Sequence, residues 1–122
     1  MKKQIFHNLF VLELANNHWG SLRRGKQIIK QFATVAKRNN VKAAIKLQFR
    51  DVKNFIHKDY LNEGKGAELT DLPKRSRYIQ KTAKTQLSSE DFAKLIDYIR
   101  KHDCIPMTTC FDEKSVDWAV SM

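Results

Sequence analysis

The sequence predicts an α/β fold: the N-terminal portion of a (β/α) sheet or barrel, of about three βα units. Three apolar runs carry that expectation, because each ends in polar, reactive residues. The first is Phe10 to Leu14, which holds Glu13 and runs into Asn16-Asn17-His18-Trp19-Gly20. The second, Val41 to Gln48, carries Lys46 and Gln48; the third, Ile105 to Phe111, carries Thr108 and Thr109 and is followed by Asp112. Segments of helical period separate the runs. Polar groups gathered at successive strand ends describe one lip of a β/α sheet or barrel, where such proteins place their chemistry.

The elements follow in order. Residues 1–8 read as a basic lead-in. Leu9–Leu14 is the first strand, and its near-continuous hydrophobicity suits burial on both faces. Ser21 is the N-cap of a helix running to about Asn39. Leu22, Ile28, Ile29, Phe32, Val35 and Ala36 set its inner stripe, and Asn39-Asn40 supplies a left-handed stop. Val41–Leu47 is the second strand, with Lys42 reaching solvent at the bottom of the sheet. A βαβ unit of this length takes a right-handed crossover with its two strands parallel and adjacent.

Residues 50–87 form a long lip loop, with short helical turns expected at Asp51–His57 and Leu72–Thr82. Its basic residues Lys74, Arg75 and Arg77 either meet an anion or face solvent. Leu87 and Phe92 bracket Ser88 as a hydrophobic staple, and Ser88 with Asp91 starts the next helix. Phe92, Leu95, Ile96 and Ile99 form its buried stripe through Arg100. Ile105–Thr109 is the third strand, with Pro106 near its opening, where a missing N–H matters least. Asp112 caps a last helix, Glu113–Val120, with Val116, Ala119 and Val120 facing inward. Three such units leave a sheet edge open. The expectation is therefore the leading part of a larger (β/α) protein; the alternative is a small flavodoxin-like or swapped oligomer.

The formal charge is +10, from 23 Lys plus Arg against 13 Asp plus Glu, which favours anionic partners. Much of it (Arg23, Arg24, Lys26, Lys30, Lys37, Arg38) falls on the polar side of the first helix. No aromatic residues interleave there as a nucleic-acid stacking platform requires, so nucleic acid is not the expected partner. Cys104 and Cys110 have no zinc-type spacing. The basic N-terminus lacks an uninterrupted apolar core of the signal-peptide kind, and no apolar run is long enough to span a membrane. A reducing, cytoplasmic setting is expected.

An acid within a buried strand is costly unless paired. Lys46 and Gln48, two apart, share a face. Lys46 therefore meets either Glu13, as a structural pair, or a bound phosphate or carboxylate. His18 either donates to a phosphate, works as acid or base, or bonds a neighbouring backbone group. Thr109 offers a hydroxyl, and Asp112 reads as a cap. Neither phosphate-loop signature is present, and His7, His18, His57 and His102 are scattered, so no metal site is expected within this chain.

Three motifs together resemble the sialic acid synthase family: Glu13-Leu14-Ala15-Asn16-Asn17-His18-Trp19-Gly20, Lys46-Leu47-Gln48, and Met107-Thr108-Thr109-Cys110-Phe111-Asp112 followed by Ser115-Val116-Asp117. They match the family's Glu-(Ile/Leu)-Gly-x-Asn-His-x-Gly, Lys-x-Gln and Ser-Thr-Pro-Phe-Asp, in order and at strand ends. The resemblance implies the start of a TIM (β/α)8 barrel. It also implies condensation of phosphoenolpyruvate with N-acetylmannosamine or a related amino sugar to give a nonulosonic acid. By the same resemblance, Lys46 and Thr109 bind phosphoenolpyruvate and Gln48 lines the sugar pocket. Glu13 acts as general acid or base, and Asn17 and His18 form the first loop of the mouth.

The family uses a divalent ion, Mn or Mg, whose histidine ligands lie on later strands; this chain has no counterpart for them. The C-terminal half of the barrel and the antifreeze-like domain are likewise absent from residues 1–122. A homodimer or a missing C-terminal portion would supply the rest. Ala15 stands where the family has glycine, and Cys110 where it has proline. Two other functions fit the residues: another phosphoenolpyruvate-using aldol synthase, and a small basic binding or regulatory protein without catalysis.

Overall fold

The computed structural model describes residues 4–57 and 77–122. In order come β1 (Leu9–Ala15), α1 (Leu22–Arg38), β2 (Lys42–Phe49), α2 (Val52–Phe55), α3 (Arg77–Lys84), α4 (Ser89–Lys101), β3 (Ile105–Cys110) and α5 (Glu113–Ser121). The strands form one parallel sheet in the order β1-β2-β3. It is an open α/β sheet flanked by helices, consistent with part of a (β/α) barrel and not itself closed.

Strand alternation sorts the side chains. Leu12 and Leu14 of β1 and Ala43, Ile45, Leu47 and Phe49 of β2 enter the main core, where Ile29, Ala33 and Ala36 of α1 and Phe92, Leu95, Ile96 and Ile99 of α4 meet them. The other face carries Val11 and Glu13, then Ala44, Lys46 and Gln48, then Ile105, Met107 and Thr109. β1 is not buried on both faces: Phe10 is 56% and Val11 47% exposed. Among the described residues it has only β2 beside it.

The helix ends obey local chemistry. Ser21 Oγ accepts the Arg24 N–H, Ser88 Oγ the Asp91 N–H, and Asp112 Oδ1 the Ser115 N–H. Helices α1 and α4 close with the same motif. Val41 N–H donates to Ala36 O and Asn40 N–H to Lys37 O; Cys104 N–H donates to Ile99 O and Asp103 N–H to Arg100 O. Asn40 (φ 51°) and Asp103 (φ 59°) take the left-handed position that short polar side chains tolerate.

The α1 stripe holds at Leu22, Ile28, Ile29, Phe32 and Ala36, with Gly25 and Ala33 buried beside it, and departs at Val35, which is exposed; the α5 stripe departs more. Gly25 lets α1 approach α4 closely, since a Cβ there would lie 3.0 Å from Leu95 Cδ2. In α5, Val116 and Val120 face outward; Trp118, Ala119 and Met122 pack on the core and Ser115 is fully buried. The Asp112 cap and the Phe92–Trp118 ring contact set that phase.

Within residues 50–87, α2 and α3 pack together through Val52, Ile56 and Ile79. The turn expected at Leu72–Thr82 is a helix over Arg77–Lys84 in its described part; Lys74 and Arg75 lie outside the described residues. Lys42 is exposed at the bottom of the sheet, as expected. Its ammonium donates to the carbonyls of Gln4 and Ile5, tying the lead-in to the bottom of β2.

Candidate functional site

The strand register stacks the predicted residues in rows. Glu13 pairs with Lys46 and Lys46 with Met107; one step higher, Gln48 pairs with Thr109. Parallel partners point to the same side. Glu13, Lys46, Gln48 and Thr109 therefore share one face near the C-terminal strand ends, the end that carries chemistry in this architecture. Lys46 Nζ lies 2.7 Å from Glu13 Oε2, with both side chains partly exposed.

The β1 end is shaped by an irregularity. Between Glu13 and Ala15 the register slips, so that Ala15 partners Leu47, and Ala15 has φ 50°. Turns follow: Asn17 N–H donates to Leu14 O, Trp19 N–H to Asn16 O, and Ser21 N–H to His18 O. Trp19 and Gly20 both have positive φ. At Gly20 (φ 72°) a Cβ would also come within 3.2 Å of Lys84 O, so glycine serves both the turn and the contact with α3.

Asn17 is exposed. Its Nδ2 donates to Leu14 O, and its carbonyl accepts Arg24 Nε–H at 2.8 Å. His18 is wholly buried, edge-on to Phe92. Its Nδ1 accepts the Gly20 N–H at 3.0 Å, the backbone bond that was one of its expected roles. The neutral ring must then carry its proton on Nε2, which is buried without a partner among the described residues. Burial, with the nearby Arg50 charge, lowers its pKa to about 4. A ring so enclosed braces the loop rather than touching a ligand directly.

Gln48 is held from two sides. Its Oε1 accepts Asn16 Nδ2 at 2.9 Å and Arg50 Nη2 at 3.3 Å. Because both partners are donors, the amide orientation is defined, and its NH2 group remains to donate to a ligand. Arg50 is the residue that sequence reasoning missed. Its guanidinium sits 4.7 Å from the Phe111 ring centroid and 5.4 Å from that of Phe55. The available signal was its spacing, two residues beyond Gln48 and four beyond Lys46.

Asp112 is a cap and also a tie. Its carboxylate accepts the Ser115 N–H, the Ser115 hydroxyl and the Asp51 N–H at 2.8–2.9 Å, joining the ends of β3 and β2. Cys110 ends β3 rather than lying beyond it, and its thiol donates to Ser115 O.

An open cleft beside this lip is lined by Asn16, Asn17, Gln48, Arg50, Tyr78 and Lys81, among others. Among the described residues no group of three or more His, Cys, Asp or Glu could hold a metal ion. Glu13 is engaged by Lys46 and His18 is enclosed, so these residues do not fit a divalent ion.

An open parallel sheet flanked by helices, with its polar residues in register at the strand ends, defines an α/β protein consistent with part of a (β/α) barrel. The profile described as NeuB family matches residues 33–122, and the chain belongs to that family. Among solved structures it is similar to spore coat polysaccharide biosynthesis protein E of Chromobacterium violaceum. That match is 29% identical with a TM-score of 0.74, over 93% of this chain and 31% of that one.

The N-acetylneuraminic acid synthetase of Leptospira borgpetersenii shares the fold at 20% identity and TM-score 0.62, over 93% of this chain and 32% of that one. SpsE of Bacillus subtilis does so at 24% and 0.55, over 93% and 26%. The chain thus spans about a third or less of these proteins. No match is found among curated proteins. Among the described residues no helix is long and apolar enough to cross a membrane.

Proposed function

We propose that this chain carries the first strand ends of an active site that condenses phosphoenolpyruvate with N-acetylmannosamine or a related amino sugar. The carrying observation is the row arrangement: the Glu13–Lys46 pair, with Gln48 and Thr109 one step above on the same face. Family membership and the likeness to a polysaccharide biosynthesis protein support it. On this reading residues 1–122 are a partial barrel domain, with the rest of the site supplied by further barrel strands or a partner copy.

Lys46, a compact cation, and the Thr109 hydroxyl hold phosphoenolpyruvate, and the Gln48 amide donates to the sugar. The C3 carbon of phosphoenolpyruvate bonds to the sugar carbonyl carbon, whose oxygen takes up a proton. Water then adds at C2, and the C2–O bond to phosphorus breaks, releasing inorganic phosphate. Glu13 is assigned the exchange of that proton as general acid or base. Orientation of the two reactants is the main contribution these residues can make.

Calorimetric titration of the 122-residue chain with phosphoenolpyruvate, repeated on Lys46→Ala with circular dichroism alongside, tests the reading. Binding that disappears in the folded variant is expected. Binding that survives the substitution would remove Lys46 from the site, and a folded parent chain that binds nothing would sink the half-site altogether.

A further inference from the structure

The slip at the end of β1 has a consequence across the sheet. Glu13 stands beside Lys46 but Ala15 beside Leu47, so β1 carries one residue more than β2 over this stretch. Ala15 absorbs the extra residue at φ 50°. Continued without the slip, the register would set Ala15 beside Gln48 and Asn16 beside Phe49, with the Asn16 side chain on the core face. With it, Asn16 comes level with Gln48 on the open face, and its Nδ2 donates to Gln48 Oε1 at 2.9 Å. Asn16 stands at a variable position of the Glu-(Ile/Leu)-Gly-x-Asn-His-x-Gly pattern, so this contact belongs to this chain and not to the pattern.

Gln48 is thereby held in one of its two amide orientations. Arg50 Nη2 reaches the same Oε1 at 3.3 Å, and a guanidinium only donates, so the oxygen and not the nitrogen must lie between the two. Phe55 and Phe111 steady that guanidinium by cation–π contact. Among the described residues no group accepts from Gln48 Nε2. The charged residues lining the cleft beside it are Arg50 and Lys81, which only donate, with no carboxylate in the described lining. A ligand atom that meets Gln48 must therefore be an acceptor. On a neutral amino sugar the acyl carbonyl oxygen fills that role best, because it carries no hydrogen of its own.

We propose that Asn16 is a specificity-determining positioning residue. It fixes the Gln48 amide with its NH2 group toward the cleft, and so selects a sugar presenting an acyl carbonyl there over one presenting a hydroxyl. That Gln48 meets a sugar rests on the condensation reading; its orientation rests on Asn16, Arg50 and the β1 slip.

The test is nuclear magnetic resonance titration of the full chain with N-acetylmannosamine, mannose and phosphoenolpyruvate. The two sugars are neutral and differ only at C2, an acylated amine against a hydroxyl. N-acetylmannosamine should bind at least about tenfold more tightly than mannose and shift the Gln48 Nε2 protons. Asn16→Leu keeps the shape and removes the donor. It should cut the preference to about threefold, since Arg50 still favours the parent orientation. Asn16→Asp offers acceptors to Gln48 Nε2 and to Arg50, so the amide turns over. The preference should then vanish, and the Gln48 side-chain protons should exchange with solvent more slowly than in the parent.

A preference that survives both substitutions would overturn the proposal, as would a parent chain that shows none. Loss of the preference in Asn16→Asp with Gln48 proton exchange unchanged would also overturn it, because the added charge and not the amide would then be responsible. Phosphoenolpyruvate binding while the two sugars bind alike would leave the condensation reading standing and remove Asn16 from it. An Asn16-dependent sugar preference with no phosphoenolpyruvate bound would end the condensation reading and keep the positioning role.

Discussion

Lys46 and Glu13 face each other across the β1–β2 register, 2.7 Å apart, on the sheet face that the main core does not use. Both are partly solvated, so the pair contributes no more than about 1 kcal/mol to folding. Lys46→Met should therefore cost less than about 1 kcal/mol in urea denaturation. It should weaken phosphoenolpyruvate binding at least about tenfold, the worth of a charge-assisted bond. A large stability loss in that variant would make the pair structural.

His18 predicts a pH dependence. Its pKa is lowered in the folded protein to about 4 from an ordinary 6.5. As pH falls below 6.5 the unfolded chain takes up a proton that the folded ring refuses. The stabilisation is complete above that value and is lost towards pH 4, by up to about 1.4 kcal/mol per pH unit. Urea midpoints at pH 7 and 4.5 should converge more in His18→Gln than in the parent. Parallel slopes would place the acid sensitivity in other groups.

Ala15 sits at φ 50°, in the left-handed region that disfavours a Cβ. Ala15→Gly should stabilise by about 0.5–1 kcal/mol, the relieved strain exceeding the extra entropy of an unfolded glycine. Thermal denaturation reads this as a raised Tm; a lowered one would show that the slip at the β1 end tolerates alanine without strain.

Gly25 predicts the opposite sign. Alanine favours a helix by about 1 kcal/mol, but here its methyl would press on fully buried Leu95. Gly25→Ala should destabilise by about 1–2 kcal/mol net of that gain. In combination with Leu95→Ala the loss should be less than additive by at least about 0.5 kcal/mol. Strict additivity in the double-mutant cycle would mean that α1 and α4 shift apart freely.

Asp112 accepts three hydrogen bonds from two segments. Asp112→Ala should cost about 2–3 kcal/mol, above an ordinary cap, because the Asp51 N–H is orphaned as well. Ser115→Ala, which keeps the two backbone bonds, should cost about 1 kcal/mol. Similar losses in both would reduce Asp112 to a simple cap.

Much of this was legible in the chain itself. Ser21, Ser88, Asp112, Asn40 and the Leu87–Phe92 staple act within a few residues of their partners, so spacing alone reveals them. The alternation that places Lys46 and Gln48 on one side of β2 is equally local. Val35 and Val116 were misassigned because a helical stripe can be rotated by a residue without breaking its period. Close contact at Gly25 and the Asp112 tie choose the phase, and both involve partners distant in sequence.

Arg50 marks where local reading stops. Its importance comes from Phe55, Tyr78, Phe111 and Gln48, up to sixty-one positions away, which surround one guanidinium only after the sheet forms. The sequence by itself determined the parallel α/β order, the caps and the row of polar strand ends, since hydrophobic period and short-range hydrogen bonds are written along the chain. Only the tertiary structure decided that His18 is sealed inside and that Arg50 meets no carboxylate among the described residues. Burial and pairing are properties of neighbours in space, and no spacing along a chain records them.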